Sequence, residues 1–185
     1  MKRIKTEGIV KLALTFALSI FSLIVAIITR NIFILIGMVL STGGDIQIMA
    51  SRDALSTGKN KTQFTKGVVF FAIAHLAYVL SMQETKWWST IIGFEVIFCI
   101  LVCIIAILTK MKGNILLNAC YAICIIFAVI NSWQFHWLAG IGYMFFVISD
   151  LILIIFEDKN PKWQIPIWIT YVVAQICIIS SFLMA

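Results

Sequence analysis

Two aspartates, Asp45 and Asp150, and one histidine, His75, stand inside long apolar runs of this 185-residue chain. An ionisable side chain in hydrocarbon is expensive, so each is a candidate functional group. Two carboxylates in one low-dielectric region do not readily ionise together, so one tends to keep its proton while the other carries charge. That arrangement supplies a general acid and a general base at once. It would serve a proton relay in a carrier equally well, so the chemistry is not unique. Tyr78 follows His75 at i+3 and shares its helix face. Lys11 and Tyr171 are further polar groups in apolar surroundings. The ordinary alternatives are a hydrogen-bonded core histidine for His75 and a snorkelling cation for Lys11. Glu95 stands apart from the others and reads equally well as a structural hydrogen-bonding group.

The elements that must position these residues are apolar helices. Hydrophobic residues make up 62% of the chain and charged ones only 12%, against about 25% in a soluble domain. Mean hydropathy is +1.07, which leaves too little polar surface to cover a water-soluble globule. A β-barrel would alternate in short segments, and an open sheet edge in lipid would leave backbone groups unsatisfied. The long unbroken runs predict helices, each needing about 20 mainly apolar residues to span. Seven segments qualify: 8–29, 32–50, 67–82, 88–109, 113–131, 135–156 and 163–184. The expectation is a seven-transmembrane-helix bundle in one polytopic domain, residues 1–185, with a polar loop from Ser51 to Lys66. The opening Met1-Lys2-Arg3-Ile4-Lys5 has the look of a secretory signal. The apolar stretch from Gly8 to Thr29 exceeds the ~7–15 residues of such a signal, and it is read as a retained helix.

Orientation follows from the basic residues. Alternating spans put Lys2, Arg3, Lys5, Lys11, Arg52, Lys59, Lys61, Lys66, Lys110, Lys112, Lys159 and Lys162 on one side, and only Arg30 and Lys86 on the other. The richer side is cytoplasmic by the positive-inside rule, so the N-terminus lies inside and, after seven spans, the C-terminus outside. Trp87, Trp88, Trp133, Trp137 and Trp163 sit at segment ends, as an interfacial belt does. The net charge of +6 is thus explained without nucleic acid. At 1.5 Å per residue, Lys11, Asp45, His75, Asp150 and Tyr171 come to lie roughly 5–12 Å below the cytoplasmic surface, each on a different helix. Gly43-Gly44 beside Asp45 admits a close helix approach. Cysteines 99, 103, 120, 124 and 177 all lie in apolar segments and read as small hydrophobes. His75 and His136 make a poor zinc pair, and neither a metal nor a cofactor is expected.

Four stretches carry a resemblance: Gly44-Asp45 before a basic loop; Gly67 to Tyr78 with His75; Gly142 to Asp150 with Ser149; and Thr170-Tyr171 to Gln175. Each is short, but their order and spacing resemble the YhhN-like family, which includes animal transmembrane protein 86, from Lys11 to about Ser180. Family members commonly carry Lys-Pro where this chain has Lys11-Leu12, and a further helix before that lysine, so a leading span is expected to be absent here. The resemblance implies lysoplasmalogenase activity at the cell membrane: hydrolysis of the vinyl ether bond of a lysophospholipid with release of a fatty aldehyde. It implies acid and base roles for Asp45 and Asp150, with His75 and Tyr78 orienting water or tuning the pair. Lys11 would meet the lipid phosphate, and Ser149, Tyr171 and Gln175 would contact the substrate.

Two other readings compete, a non-catalytic lipid-binding protein and a proton-coupled transporter using the same polar layer. The transporter has little support, because the only prolines, Pro161 and Pro166, lie around the start of the last span and no inverted repeat is visible. A retinal photoreceptor would need a lysine deep in the last span, and none follows Lys162.

Overall fold

Six helices, and no strand among the described residues, make up the computed structural model, which describes residues 2–53, 60–82, 115–156 and 163–185. They are α1 (Lys2–Thr29), α2 (Ile32–Asp53), α3 (Asn60–Ser81), α4 (Ile115–Phe135), α5 (Trp137–Phe156) and α6 (Gln164–Ser181). Four contain stretches long and apolar enough to cross a membrane: Val10–Thr29, Ile32–Ala50, Gln63–Ser81 and Gln164–Ser181. The fourth expected span, 88–109 with Glu95, lies outside the described residues.

Helix α1 explains why such a bundle belongs in lipid. Its buried face carries Lys11, Thr15 and Ser22 beside Leu18 and Val25, while Phe16, Ile20, Ile27 and Ile28 are more than half exposed. That is the reverse of a water-soluble amphipathic helix, whose apolar stripe faces the core. The buried hydroxyls cost little because their own helix satisfies them. Thr15 Oγ1 donates to the Leu12 carbonyl at 3.0 Å, and Ser22 Oγ to that of Ser19 at 2.8 Å.

Helix ends differ from the hydropathy boundaries in a consistent way. α1 begins at Lys2 rather than residue 8, and α3 at Asn60 rather than 67, inside the loop expected over Ser51–Lys66. α4 continues to Phe135 rather than 131. A hydropathy window detects the apolar stretch, whereas the backbone hydrogen-bond ladder runs on through polar residues that solvent tolerates. The turn at Arg30-Asn31, between the expected spans 8–29 and 32–50, is formed by two caps back to back. Arg30 adopts φ 55°, the left-handed conformation of a helix C′ residue. Asn31 N–H donates to the Ala26 carbonyl (3.0 Å) and Arg30 N–H to that of Ile27 (3.4 Å), a Schellman pair. Asn31 Oδ1 then accepts the Phe33 N–H at 3.2 Å and caps α2. Between α4 and α5 stands His136 alone, whose Nδ1 accepts the Leu138 N–H at 3.2 Å and caps α5 in the same way.

The chain divides into two compact units, Met1–Leu35 with Val129–Ala185, and Ile36–Ala128. In the second, α2 and α3 cross antiparallel at two glycines. A Cβ on Gly44 would stand 2.7 Å from Phe71 Cε2, and one on Gly67 would stand 2.7 Å from Ile48 Cγ1 and 3.2 Å from the Gly44 carbonyl. In the first, α5 meets α6 at Gly142, where a Cβ would stand 2.9 Å from the Ala174 carbonyl and 2.8 Å from Ile178 Cγ1. Small residues at such crossings let helix backbones approach where lipid offers no hydrophobic drive for association.

Candidate functional site

In the Ile36–Ala128 unit, Asp45 is 4% exposed on α2, and His75 and Tyr78 on α3 are 1% and 0% exposed. Their register follows from the crossing. Tyr78 lies against Gly37, Phe71 against Gly44 and Gly67 against Ile48, so Asp45 is level with Phe70 and Phe71. His75 and Tyr78 then stand roughly 8 and 12 Å further along the axis at 1.5 Å per residue. The i+3 spacing does bring His75 and Tyr78 to one buried face. The Tyr78 hydroxyl donates to Met38 Sδ at 3.6 Å, and the His75 imidazole lies 5.7 Å from the Tyr121 ring, centroid to centroid. Neither Met38 nor Tyr121 was anticipated as a neighbour. The signal available for Tyr121 was an amphipathic aromatic inside an apolar run, and for Met38 there was none.

In the other unit, Lys11, Ser149, Tyr171 and Gln175 are all buried, and Asp150 is half-buried. The Lys11 ammonium lies 4.9 Å from the centroid of the Trp168 ring, so it is held inside over an aromatic face, and the side chain is 6% exposed. The burial favours an interior role over snorkelling, since a cation over indole is stabilised by the ring quadrupole and more so when desolvated. Ser149 Oγ donates to the Ile167 carbonyl at 3.0 Å, a bond from α5 to the first turns of α6. That hydroxyl therefore ties two helices together, and only its lone pairs are left to meet a ligand. Tyr171 packs edge-on against Phe146 at 5.6 Å. These contacts fix the register of α5 against α6 and put Ser149, Trp168 and Tyr171 within about two turns of one another. Gln175, fully buried, comes level with Gly142 one turn beyond Tyr171. Trp168 is the residue that sequence reading passed over. It was legible only as an indole five residues into the last span, too deep for the interfacial belt.

Among the described residues, no group of three His, Cys, Asp or Glu side chains is placed to hold a metal ion. Cys120 and Cys124, at i,i+4 on α4, are both buried.

Helices long and apolar enough to cross a bilayer, with large apolar side chains exposed on them and a minority of polar ones buried in a mainly apolar core, mark a helical membrane protein. The chain belongs to the YhhN family, which it matches over residues 6–182, as its motifs implied. No curated protein and no solved structure matches it significantly.

Proposed function

We propose that the chain is an intramembrane hydrolase that cleaves the vinyl ether bond of lysoplasmalogen-type lipids in the cell membrane and releases a fatty aldehyde. The observation that carries this reading is Asp45. It is a carboxyl group 4% exposed, on a helix apolar enough to cross a membrane, in a chain of the YhhN family. Buried carboxyls at such depth are retained for chemistry more readily than for packing.

The reaction needs one carboxylic acid and one carboxylate, and the reading assigns Asp45 and Asp150 to these roles. The acid delivers its proton to the alkenyl carbon beyond the one bearing oxygen. The π electron pair forms the new C–H bond and leaves an oxocarbenium ion, which a neighbouring carboxylate stabilises. That carboxylate takes a proton from water as the water oxygen bonds to the cationic carbon. The hemiacetal then collapses. Its bond to the glycerol oxygen breaks, a proton passes to that oxygen, and the hydroxyl loses its own proton to become the aldehyde. One water is consumed, and the proton count of the carboxyl pair is restored. His75 and Tyr78 orient water, Lys11 meets the phosphate, and Ser149, Tyr171 and Gln175 contact the lipid. The same reading takes the bundle as seven spans, with the N-terminus cytoplasmic and the C-terminus outside.

The test is aldehyde release from a lysoplasmalogen by the purified protein. Asp45→Asn and Asp150→Asn should each lower turnover by about 10²-fold or more, the range of a lost general acid or base. Turnover retained in both variants rejects the mechanism. No turnover by a folded wild-type protein rejects the enzyme.

A further inference from the structure

Buried hydroxyls in this chain are satisfied by carbonyls, with one exception. Among the described residues, every buried serine or threonine but Ser41 donates to a backbone carbonyl, as Thr42 does to that of Met38 at 3.0 Å and Ser81 to that of Tyr78 at 2.6 Å. Ser41 is 1% exposed, and its Oγ makes no hydrogen bond with a described residue. A buried donor left unused is costly, and more so on a helix that crosses a membrane, so this hydroxyl needs an acceptor. Its place on α2 narrows what that acceptor is. Gly37, Ser41, Gly44 and Ile48 form the stripe that meets α3, with Gly37 at Tyr78, Gly44 at Phe71 and Ile48 at Gly67. This antiparallel register puts Ser41 level with Ala74, between the Tyr78 and Phe71 rings. The Tyr78 hydroxyl touches Ser41 without the geometry of a hydrogen bond and gives its own proton to Met38 Sδ at 3.6 Å, so its oxygen can accept. Asp45 stands one turn further along α2, about 5–6 Å away at Cβ. One water making two hydrogen bonds of ~2.7–2.8 Å covers that span.

We infer that Ser41 holds a water molecule against Asp45, and that this is the water consumed in the proposed hydrolysis. The water accepts from Ser41 Oγ and donates to the Tyr78 oxygen and to the Asp45 carboxyl, and about three such bonds are usual for a buried water. An ether or carbonyl oxygen of a lipid would take the Ser41 proton but has none to give the other two groups. The enclosure also favours a small occupant, because Ser41, Ala74 and Tyr78 are at most 1% exposed and Asp45 is 4% exposed. The water site stands on this geometry alone. Only its part in the reaction rests on the function proposed above.

The two parts are tested by separate measurements on the full-length protein. Infrared difference spectra of hydrated membrane films, prepared with ordinary water or with water of the heavy oxygen isotope, isolate the O–H stretches of internal water by their isotope shift. Ser41→Ala should remove one isotope-shifted band. Thr42→Ala, which loses a hydroxyl already bonded to its own helix, should leave that band in place. In aldehyde release, Ser41→Ala should lower kcat about tenfold while KM stays within about twofold, as expected when one hydrogen bond to a reacting group is lost. Thr42→Ala should change neither constant. Circular dichroism melting checks that both variants fold, and Ser41→Cys, of similar volume and a weak donor, serves where the alanine variant does not. A band that survives Ser41→Ala overturns the water site, and the hydroxyl then turns back to the Gly37 carbonyl as its neighbours do to theirs. A lost band with kcat unchanged overturns the reacting water and leaves a structural one. A band lost in Ser41→Ala, where the wild-type protein releases no aldehyde, supports the water site while rejecting the enzyme.

Discussion

At the scale of single residues, burial separates groups that look alike in sequence. Asp45 is enclosed and Asp150 is half-buried, although each stands a few residues from the end of an apolar run. Tyr78 and Tyr171 are both enclosed, but Tyr78 fills the notch left by Gly37 while Tyr171 packs edge-on against Phe146. Truncating Tyr78 to alanine should therefore cost about 3–5 kcal/mol through the cavity it leaves. Tyr78→Phe should cost only about 0.5–1.5 kcal/mol, because it keeps the ring in place and gives up the hydroxyl's contacts with the Met38 thioether and Ser41. Chemical or thermal unfolding in detergent, followed by circular dichroism, distinguishes the two. If Tyr78→Phe retains the fold yet loses aldehyde release, its hydroxyl acts on substrate or water and not on packing. Ser149→Ala, losing its bond to the Ile167 carbonyl, should cost about 0.6–1.7 kcal/mol by the same measurement.

At the scale of elements, the helices are held by caps and close crossings. Arg30 occupies a left-handed position that costs an L side chain roughly 1–2 kcal/mol. Arg30→Gly should therefore raise stability by up to about 1 kcal/mol, less what glycine adds to the entropy of the unfolded chain. Asn31→Ala should lower it by about 1 kcal/mol, because the Phe33 N–H loses its acceptor. Opposite shifts of the melting midpoint at adjacent positions would be hard to explain except by the two caps. The crossings predict larger effects. Gly142→Ala drives a methyl toward the Ala174 carbonyl, and Gly44→Ala drives one into the Phe71 ring, each costing about 1–3 kcal/mol. Gly44 adjoins Asp45, so its alanine variant should also lower turnover, whereas a carboxyl on a rigid, undisturbed helix would keep it.

At the scale of the whole molecule, the proposed orientation follows from charge counted over loops, twelve basic residues against two. An odd number of spans puts the termini on opposite sides of the membrane. Alkaline phosphatase fused after Ala185 should therefore be active and green fluorescent protein at the same point dark, if the C-terminus is outside. The reverse pattern would mean an even number of spans or an inverted insertion, and the cytoplasmic address of the polar residues would fall with it.

The sequence by itself determined the class of fold, the family and the places where polar groups enter apolar helices. Each of these depends on local quantities, namely the length of an apolar run, its flanking charges, and residue types at short spacing. The Arg30-Asn31 turn and the shared face of His75 and Tyr78 belong to the same group, because helix caps and i+3 neighbours are set within a few residues. Tertiary structure alone decided which partner each buried group has. Trp168 under Lys11, Tyr121 beside His75, Met38 at the Tyr78 hydroxyl and the Ile167 carbonyl at Ser149 all come from another helix. Such pairings depend on where glycines let backbones cross and on the register that results. That register is a property of two packed surfaces and cannot be read from either helix by itself.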